Sequence, residues 1–319
     1  MISMNDVKLA QRRIKGVTIR TPLIQYPDTT AFRGLYFKAE NLQAVGSFKL
    51  RGAYNKIKSL SDVEKQRGII AFSSGNHAQG VAFAARKLGV HATIVMPVTA
   101  PEIKIENTKA FGAQVILLKH GGEEEWRETA ESLAARNNYA MIPPFNDEEI
   151  IAGQATVGME IFEDLPDVGV VLVPIGGGGL ISGVAAALKL CGKAVQVIGV
   201  EPEVANDAQI SFRQGKIAAL PLAQTRQTIA DGMRATQIGD ITFSHINAYV
   251  DDIVTVSEDE IQEAMRFMVL KARLLAEPSG VVAVAAFLFQ RDKLPEHPLT
   301  VAVVSGGNIV PDLLVEILG

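Results

Sequence analysis

The chain has 319 residues, of which 48% are hydrophobic and 21% charged, and its net charge is −4. This balance is ordinary for a globular enzyme, and it argues against disorder, nucleic-acid binding and attachment to an anionic membrane surface. Small molecules are therefore the expected partners. Because the chain is long for one hydrophobic core, two domains are expected.

Cysteine content and the distribution of apolar residues indicate the compartment. Cys191 is the single cysteine, which excludes an intramolecular disulfide and a cysteine-based zinc site. Residues 1–16 show helical spacing and lack the apolar block of a secretory signal. The apolar run at residues 281–289 is too short to cross a bilayer and predicts a buried helix. A cytoplasmic protein is expected.

Short β-branched runs alternate with longer helical patterns along the chain. Strands are predicted at residues 35–39, 68–72, 91–96, 114–118, 168–175, 195–200, 253–256 and 299–304. Helices are predicted at residues 47–60, 77–88, 103–111, 123–137, 152–164, 180–190, 258–274 and 309–318. The alternation predicts an α/β fold with mostly parallel sheets. We expect a small domain at residues 67–147 and a large domain at residues 1–66 and 148–319.

Lys49 stands in the stretch GSFKLRGA, where a glycine and small polar residues lead into a predicted helix. Most lysines are solvated surface groups, so this residue alone indicates little. It gains weight from SSGNH at residues 73–77, GGGGL at residues 176–180 and SGGN at residues 305–308, each of which follows a predicted strand. Ligands bind at the carboxyl ends of parallel strands, so the motifs are expected to form one site.

A glycine run joins the strand at residues 168–175 to a helix that begins at Leu180, and it consists of Gly176, Gly177, Gly178 and Gly179. Such a loop can turn tightly and bring backbone N–H groups close to an anion at a helix N-terminus, which predicts a phosphate site. A dinucleotide-binding loop fits poorly, because Gly183 follows too late for the G-x-G-x-x-G spacing. No lysine follows as in a P-loop, and a bare turn would rarely need four glycines.

The loop between the strand at residues 68–72 and the next helix consists of Ser73, Ser74, Gly75, Asn76 and His77. Its hydroxyls, amide and backbone N–H groups can hold a carboxylate. The alternative is a helix N-cap, which is compatible with ligand binding. No second histidine completes a metal motif with His77.

An acidic loop follows the strand at residues 195–200 and contains Glu201 and Asp207. Its carboxylates and backbone carbonyls are the oxygen ligands that hard divalent cations prefer. From the residues alone, however, a solvated acidic loop is the favoured interpretation.

Together and in this order, the motifs around Lys49, Asn76, the glycine run and Ser305 resemble the fold type II pyridoxal phosphate enzymes, which share the tryptophan synthase β-like fold. The similarity is specifically to the threonine dehydratase and serine racemase family. It spans nearly the whole chain and extends to TPL at residues 21–23, IAGQ at residues 151–154, TIADG at residues 228–232 and EPS at residues 277–279. The resemblance implies two α/β domains and a homodimer or higher homo-oligomer.

The resemblance also implies roles for individual residues. Lys49 would carry pyridoxal 5'-phosphate through a Schiff base and remove the Cα proton of the substrate. The other implied cofactor contacts are Phe48 against the ring, Asn76 on the ring hydroxyl, Gly176, Gly177, Gly178, Gly179 and Leu180 around the phosphate, and Ser305 at the pyridine nitrogen. The implied substrate contacts are Ser73, Gly75, Asn76 and His77. Because a neutral serine cannot hold the pyridine protonated, elimination is favoured over transamination.

Ser74 bears on the product. In serine racemases the matching serine lies on the opposite face of the cofactor from the lysine and exchanges the second proton. Many threonine dehydratases have alanine there, although some carry serine. The expected function is a threonine/serine dehydratase that forms a 2-keto acid and ammonia from a β-hydroxy amino acid. Serine racemase and 3-hydroxyaspartate dehydratase are the alternatives.

Two further features concern metal binding and selectivity. Glu201, the carbonyl of Ala205 and Asp207 match the divalent metal site of the racemase-like branch, which implies magnesium or calcium. Phe145 and Asn146 stand where the family shows a substrate-facing asparagine or a Phe-Asp pair, so threonine, serine and 3-hydroxyaspartate all stay open as substrates. The C-terminal regulatory domain of biosynthetic threonine dehydratases does not follow, so isoleucine feedback by that route is not expected.

Two other classes of protein fit less well. A nicotinamide-dependent dehydrogenase would need a dinucleotide fingerprint, which the glycine run does not supply. A ligand-sensing relative without chemistry would not need to keep Lys49, Asn76 and Ser305.

Overall fold

The computed structural model describes residues 1–27, 34–119, 123–192 and 194–319. Their strands are β1 (Leu23–Gln25), β2 (Leu35–Ala39), β3 (Ile69–Phe72), β4 (Ala92–Pro97), β5 (Gln114–Leu118), β6 (Ala140–Met141), β7 (Val170–Pro174), β8 (Gln196–Pro202), β9 (Asp252–Val256) and β10 (Thr300–Val304). All eight predicted strands are present, with their ends within two residues of the predicted positions. Sequence periodicity did not reveal β1 and β6, which are too short to show an alternating pattern.

The helices of the described residues are α1 (Met4–Ile14), α2 (Lys49–Ser59), α3 (Asp62–Arg67), α4 (Asn76–Leu88), α5 (Glu102–Ala110), α6 (Glu123–Asn137), α7 (Glu148–Asp164), α8 (Gly179–Leu190), α9 (Asp207–Gln214), α10 (Leu222–Thr225), α11 (Asp240–Tyr249), α12 (Glu258–Phe267), α13 (Pro278–Phe289) and α14 (Pro311–Leu318). All the predicted helices are present. Helix α7 begins four residues earlier than predicted because the Asp147 side chain caps it, accepting a hydrogen bond from Ile150 N at 3.0 Å.

The described strands form two sheets. The larger has the order β1-β2-β10-β7-β8-β9 and is parallel except for the β1–β2 pair, and the smaller has the order β5-β4-β3-β6 and is parallel throughout. Strands β7 and β10 are buried along their whole length, as is typical of parallel sheets covered on both faces. The predicted α/β architecture with mostly parallel sheets is confirmed. Within the described ranges, no helix combines the length and apolarity needed to span a bilayer.

The two sheets draw on different parts of the chain. The smaller sheet uses residues 69–141, and the larger uses residues 23–39 and 170–304. Helix α2 shares a hydrophobic core with the smaller sheet, since its residues Leu50 and Ile57 belong to the same buried cluster as Ile69 and Ile94. The predicted domain boundaries stay a prediction.

Helices α2 and α7 cross at backbone contact. A Cβ atom on Gly153 would lie 2.6 Å from the Cα of Gly52, and a Cβ atom on Gly52 would lie 2.4 Å from Nε2 of Gln154. The Gln154 side chain in turn accepts a hydrogen bond from Gly52 N at 3.1 Å. Larger residues at either glycine would force the two helices apart.

A buried ion-pair network links α2 and α7 to Lys38 of β2 and to Glu40, which follows that strand. The guanidinium of Arg51 contacts the carboxylates of Glu40 at 2.8 Å and Glu160 at 2.6 Å, and Lys38 Nζ lies 2.6 Å from Glu160. All four side chains are buried. Burial lowers the pKa of Arg51, but the two carboxylates outweigh it and the pKa is raised overall. The network anchors α2 at Arg51, two residues after Lys49. It thereby restricts rotation of the helix about its axis and sliding along it.

Replacing Arg51 by leucine is expected to lower the free energy of unfolding by about 3–5 kcal/mol, because it leaves two buried carboxylates with one cation. Urea titration followed by circular dichroism measures the change.

Arg20 is the matched control, since it pairs with Glu163 and Asp164 while half exposed. The Arg20→Leu change is expected to cost less than about 1 kcal/mol. Equal losses in the two variants would show that the buried network does not hold α2.

Candidate active site

A cavity of ≈ 460 Å³ lies at the carboxyl ends of β3, β7 and β10 and at the start of α2. It is lined by every residue predicted to contact the cofactor or the substrate: Phe48, Lys49, Ser73, Ser74, Gly75, Asn76, His77, Gly176, Gly177, Gly178, Gly179, Leu180 and Ser305. The fold thus brings the four motifs together, and the individual roles of these residues stay predictions.

Lys49 is the first residue of α2, and the backbone before it is tied to the end of β10. Phe48 N donates to Ser305 O at 3.1 Å, and Ser47 forms an antiparallel bridge with Gly306. The Lys49 Nζ atom donates to Pro144 O at 2.8 Å and lies 5.2 Å from the centroid of the Phe48 ring. These contacts hold the half-buried lysine amine at the cavity wall.

The glycine loop is shaped for an anion. Helix α8 begins at Gly179 without a side-chain cap, which leaves its first backbone N–H groups without an intrahelical acceptor. Gly178 has φ +87°, a conformation that favours glycine. A Cβ atom on Gly177 would lie 2.1 Å from the Phe145 ring. Side chains in this loop would therefore collide with neighbouring residues. The free N–H groups at the start of α8 fit a phosphate.

The loop before α4 also lacks a side-chain cap. Its N-cap is Gly75, whose N–H donates to Ser73 Oγ at 3.2 Å. His77 is buried and its Nε2 lies 2.9 Å from Ile142 O. Burial, aided by the nearby Lys49, lowers the pKa of His77 to about 3. A neutral imidazole at position 77 therefore adds no charge to the loop at ordinary pH.

The Asn76 amide is engaged on two sides. Its Nδ2 donates to Glu277, and its Oδ1 accepts from Asn308 Nδ2 at 2.7 Å. Glu277 lines the cavity, and burial together with the nearby Asp231 carboxylate raises its pKa to about 7. Glu277 and Asn308 lie in the EPS and SGGN motifs, but these local patterns indicate no role for either residue.

Lys104 is a functional-site residue that sequence analysis missed. It is buried on α5, lines the cavity, and its Nζ lies 2.5 Å from Asp231 Oδ2. Although burial lowers the pKa of Lys104, the carboxylates of Asp231 and Glu277 outweigh it and raise the pKa. No local pattern separates Lys104 from a surface lysine, because its partners lie more than a hundred residues away in the chain.

The side chains of Phe145 and Asn146 contact different parts of the structure. Phe145 lines the cavity and packs on the glycine loop. Asn146 instead binds the start of α11, accepting from Ile241 N at 3.0 Å and donating to Asp240 Oδ1 at 2.7 Å. Of the two residues, Phe145 is therefore the one whose side chain lines the cavity.

The acidic loop lies outside the cavity. The Glu201 carboxylate accepts from Ala208 N at 3.0 Å and Gln209 N at 2.7 Å, and Asp207 Oδ2 is buried without a hydrogen-bond partner. Burial and the Asp207 charge raise the pKa of Glu201 well above its usual value, and burial raises the pKa of Asp207 to about 7. This contradicts the solvated-loop interpretation, since both carboxylates are buried.

A divalent cation would relieve the repulsion between these carboxylates, and the unpartnered oxygen fits such an ion. The predicted ligand set contains two carboxylates and the carbonyl of Ala205. In the part of the chain that the structure describes, no group of three or more His, Cys, Asp or Glu side chains is placed to hold a metal ion.

Comparison with known proteins agrees with this site. A family model described as pyridoxal-phosphate dependent enzyme matches residues 14–306. The L-threonine ammonia-lyase of Thermotoga maritima is 46% identical over 321 residues, which cover 100% of this chain and 78% of that protein. The L-threo-3-hydroxyaspartate ammonia-lyase of Saccharomyces cerevisiae is 40% identical over 306 residues, which cover 95% of this chain and 92% of that protein.

The structure of maize serine racemase superposes with a TM-score of 0.93 at 36% identity, covering 98% of this chain and 96% of that chain. These similarities confirm the predicted fold type II architecture and the predicted family. With Lys49, the glycine loop and Ser305 around one cavity, the chain belongs to the pyridoxal-phosphate dependent enzymes, in the family of the threonine dehydratases and serine racemases.

Proposed function

We propose that this enzyme is an ammonia-lyase that converts L-threonine or L-serine to a 2-keto acid and ammonia. The observation that carries the proposal is that Lys49, the glycine loop and Ser305 line the same cavity. The 46% identity to a protein named L-threonine ammonia-lyase supports this substrate class.

The residues of the cavity fit pyridoxal 5'-phosphate. Lys49 would hold its aldehyde carbon, and the glycine loop with the uncapped start of α8 would hold its phosphate. Phe48 would pack against the ring, Asn76 would donate to the ring hydroxyl, and Ser305 would face the pyridine nitrogen. When bound, the cofactor supplies an electron sink for the charge that develops at the substrate Cα.

The protein supplies binding and proton transfer. The loop from Ser73 to His77 would bind the substrate carboxylate through the uncapped N–H groups of α4, where the helix dipole favours negative charge. His77 stays neutral there, because its pKa is about 3, so the helix N-terminus provides the attraction. The Lys49 Nζ, when it is not bonded to the cofactor, would remove the Cα proton of the substrate.

Replacing Lys49 by alanine is expected to abolish turnover and the yellow colour of the purified protein, because the covalent anchor and the Cα base are lost together. Absorption spectroscopy and keto-acid assay measure both. In the wild type, borohydride is expected to bleach the colour and leave the cofactor attached to Lys49, as shown by peptide mass spectrometry.

Lys58 is the matched control, since it is exposed and lies on the same helix. The Lys58→Ala variant is expected to keep both colour and turnover. A wild-type protein that is colourless and gains no visible absorbance when pyridoxal 5'-phosphate is added would disprove the proposed function.

Racemisation is the second candidate. Ser74 lines the same cavity as Lys49 and could therefore act as a second acid/base group besides the lysine. The Ser74→Ala variant is expected to lower D-serine formation from L-serine at least about 100-fold while lowering keto-acid formation far less. Chiral chromatography and keto-acid assay on the same reaction give the ratio.

Ser73 is the neighbouring control, because its hydroxyl already accepts the Gly75 N–H. The Ser73→Ala variant is expected to lower both products in proportion. If D-serine formation survives the loss of Ser74, that residue does not exchange the proton.

We also propose a magnesium or calcium ion at Glu201, the Ala205 carbonyl and Asp207. The two buried carboxylates and the unpartnered Asp207 oxygen support it. Adding magnesium to chelator-treated enzyme is expected to raise the melting temperature by several degrees, because binding to the folded state alone stabilises it. Differential scanning fluorimetry measures the shift.

The Asp207→Asn variant is expected to lose this response. The Glu203→Gln variant changes an exposed carboxylate of the same loop and is expected to keep it. A wild-type melting temperature that ignores both chelator and magnesium would exclude the ion.

Three further assignments complete the proposal. We place the small domain at residues 67–147 and the large domain at residues 1–66 and 148–319, and we assign the enzyme to the cytoplasm. We also propose a homodimer or higher homo-oligomer, for which exposed apolar side chains such as Leu270 (63% exposed) and Val315 (70% exposed) would be available.

A further inference from the structure

Asn308 lies outside the cavity lining but touches the residue proposed to bind the cofactor ring. Its Nδ2 donates to Val45 O at 2.8 Å and to Asn76 Oδ1 at 2.7 Å. The side chain is packed against Gly46, where a Cβ atom would lie 2.3 Å from Asn308 Oδ1, and Gly46 has φ +71°. Asn308 is therefore wedged between the loop that leads to Lys49 and the start of α4.

This geometry decides which way the Asn76 amide points. A backbone carbonyl can only accept hydrogen bonds, so the atom of Asn308 that faces Val45 O must be the nitrogen. The same nitrogen then donates to Asn76, so the atom of Asn76 that faces Asn308 must be its oxygen. The Asn76 nitrogen is thereby turned away from Asn308, and of its two hydrogens only one is needed for Glu277.

Glu277 could not set this orientation by itself. A carboxylate would demand a donor from Asn76, but a protonated carboxyl could donate to an amide oxygen instead. Because burial and the Asp231 charge raise the pKa of Glu277 to about 7, both forms are accessible at neutral pH. The carbonyl of Val45 does not titrate, so the Asn308 contact holds the amide in one orientation whatever the state of Glu277.

We infer that Asn308 is a positioning residue that keeps the donor side of the Asn76 amide turned toward the cofactor ring. The inference rests on the proposed function, in which Asn76 donates to the ring hydroxyl. An N–H donor stabilises the anionic form of that oxygen. A reversed amide would present its own oxygen and repel it. Through Asn76, Asn308 would thereby favour the anionic form of the ring oxygen.

The test is the Asn308→Asp variant, which keeps the size of the side chain and replaces its donor by an acceptor. We expect the dissociation constant for pyridoxal 5'-phosphate to rise roughly ten- to hundredfold, which corresponds to one misdirected hydrogen bond. The pH titration of the visible band of the Lys49-linked cofactor is expected to move upward by about one unit. Both are measured by absorbance titration, without substrate.

The Asn41→Asp variant is the matched control. Asn41 Nδ2 also donates to a backbone carbonyl, that of Leu275 at 2.8 Å, and Asn41 packs beside Gly307 in the same region. This variant also exchanges a carbonyl-bound donor for an acceptor but leaves Asn76 alone. The cofactor band and affinity of Asn41→Asp are expected to stay at wild-type values.

A double-mutant cycle separates positioning from general packing. If Asn308 acts through the amide of Asn76, adding Asn308→Asp to Asn76→Ala changes cofactor affinity by less than about twofold. Additive losses, or an unchanged band in Asn308→Asp, would overturn the inference. Asn308→Ala takes the place of Asn308→Asp if circular dichroism shows that the charged variant is unfolded.

The outcomes for the two proposals are distinct. A wild-type protein without a Lys49-linked cofactor would sink the proposed function. If the wild type is yellow and the Asn308 variants have the same colour, the same cofactor affinity and the same pH titration of the visible band, only the positioning role is disproved.

Discussion

The buried ion pairs of Arg51 are the interaction on which the site depends. Burying a guanidinium and two carboxylates is tolerated only when each finds a partner, and here Glu40 and Glu160 reach Arg51 from separate elements. These ion pairs, together with the close backbone contact between Gly52 and Gly153, fix the position of α2 against α7. Lys49 begins this helix, so its amine is positioned in part by the Arg51–Glu160 contact, whose residues are 109 apart in sequence.

Two helices near this lysine begin without a side-chain N-cap. Helices α4 and α8 both begin without a side-chain acceptor for their first N–H groups, and both face the cavity. A helix N-terminus left open in this way is a ready site for a carboxylate or a phosphate. The absence of a cap, which would weaken a structural helix, is what suits these two for ligands.

Charge in the cavity is arranged by burial as much as by residue type. Burial lowers the pKa of His77 beside Lys49, burial and the Asp231 charge raise the pKa of Glu277 to about 7, and the carboxylates of Asp231 and Glu277 raise the pKa of Lys104. The relatives are named for different reactions, since two are ammonia-lyases of threonine and of hydroxyaspartate and one is a serine racemase. Because proton removal by the proposed base Lys49 would be common to these reactions, other residues would decide the outcome.

Sequence patterns alone determined the α/β architecture, the eight longer strands and the main residues of the cavity. They succeeded because a glycine run, a Ser-Asn loop and a lysine at a helix start are local signals tied to strand ends. Tertiary structure alone decided the parts that depend on distant partners. Asn76 meets Glu277 across 201 residues and Lys104 meets Asp231 across 127, and no local periodicity encodes such pairs. Burial likewise turned Glu201 and Asp207 from a loop expected in solvent into a buried carboxylate pair, because desolvation is a property of the folded chain.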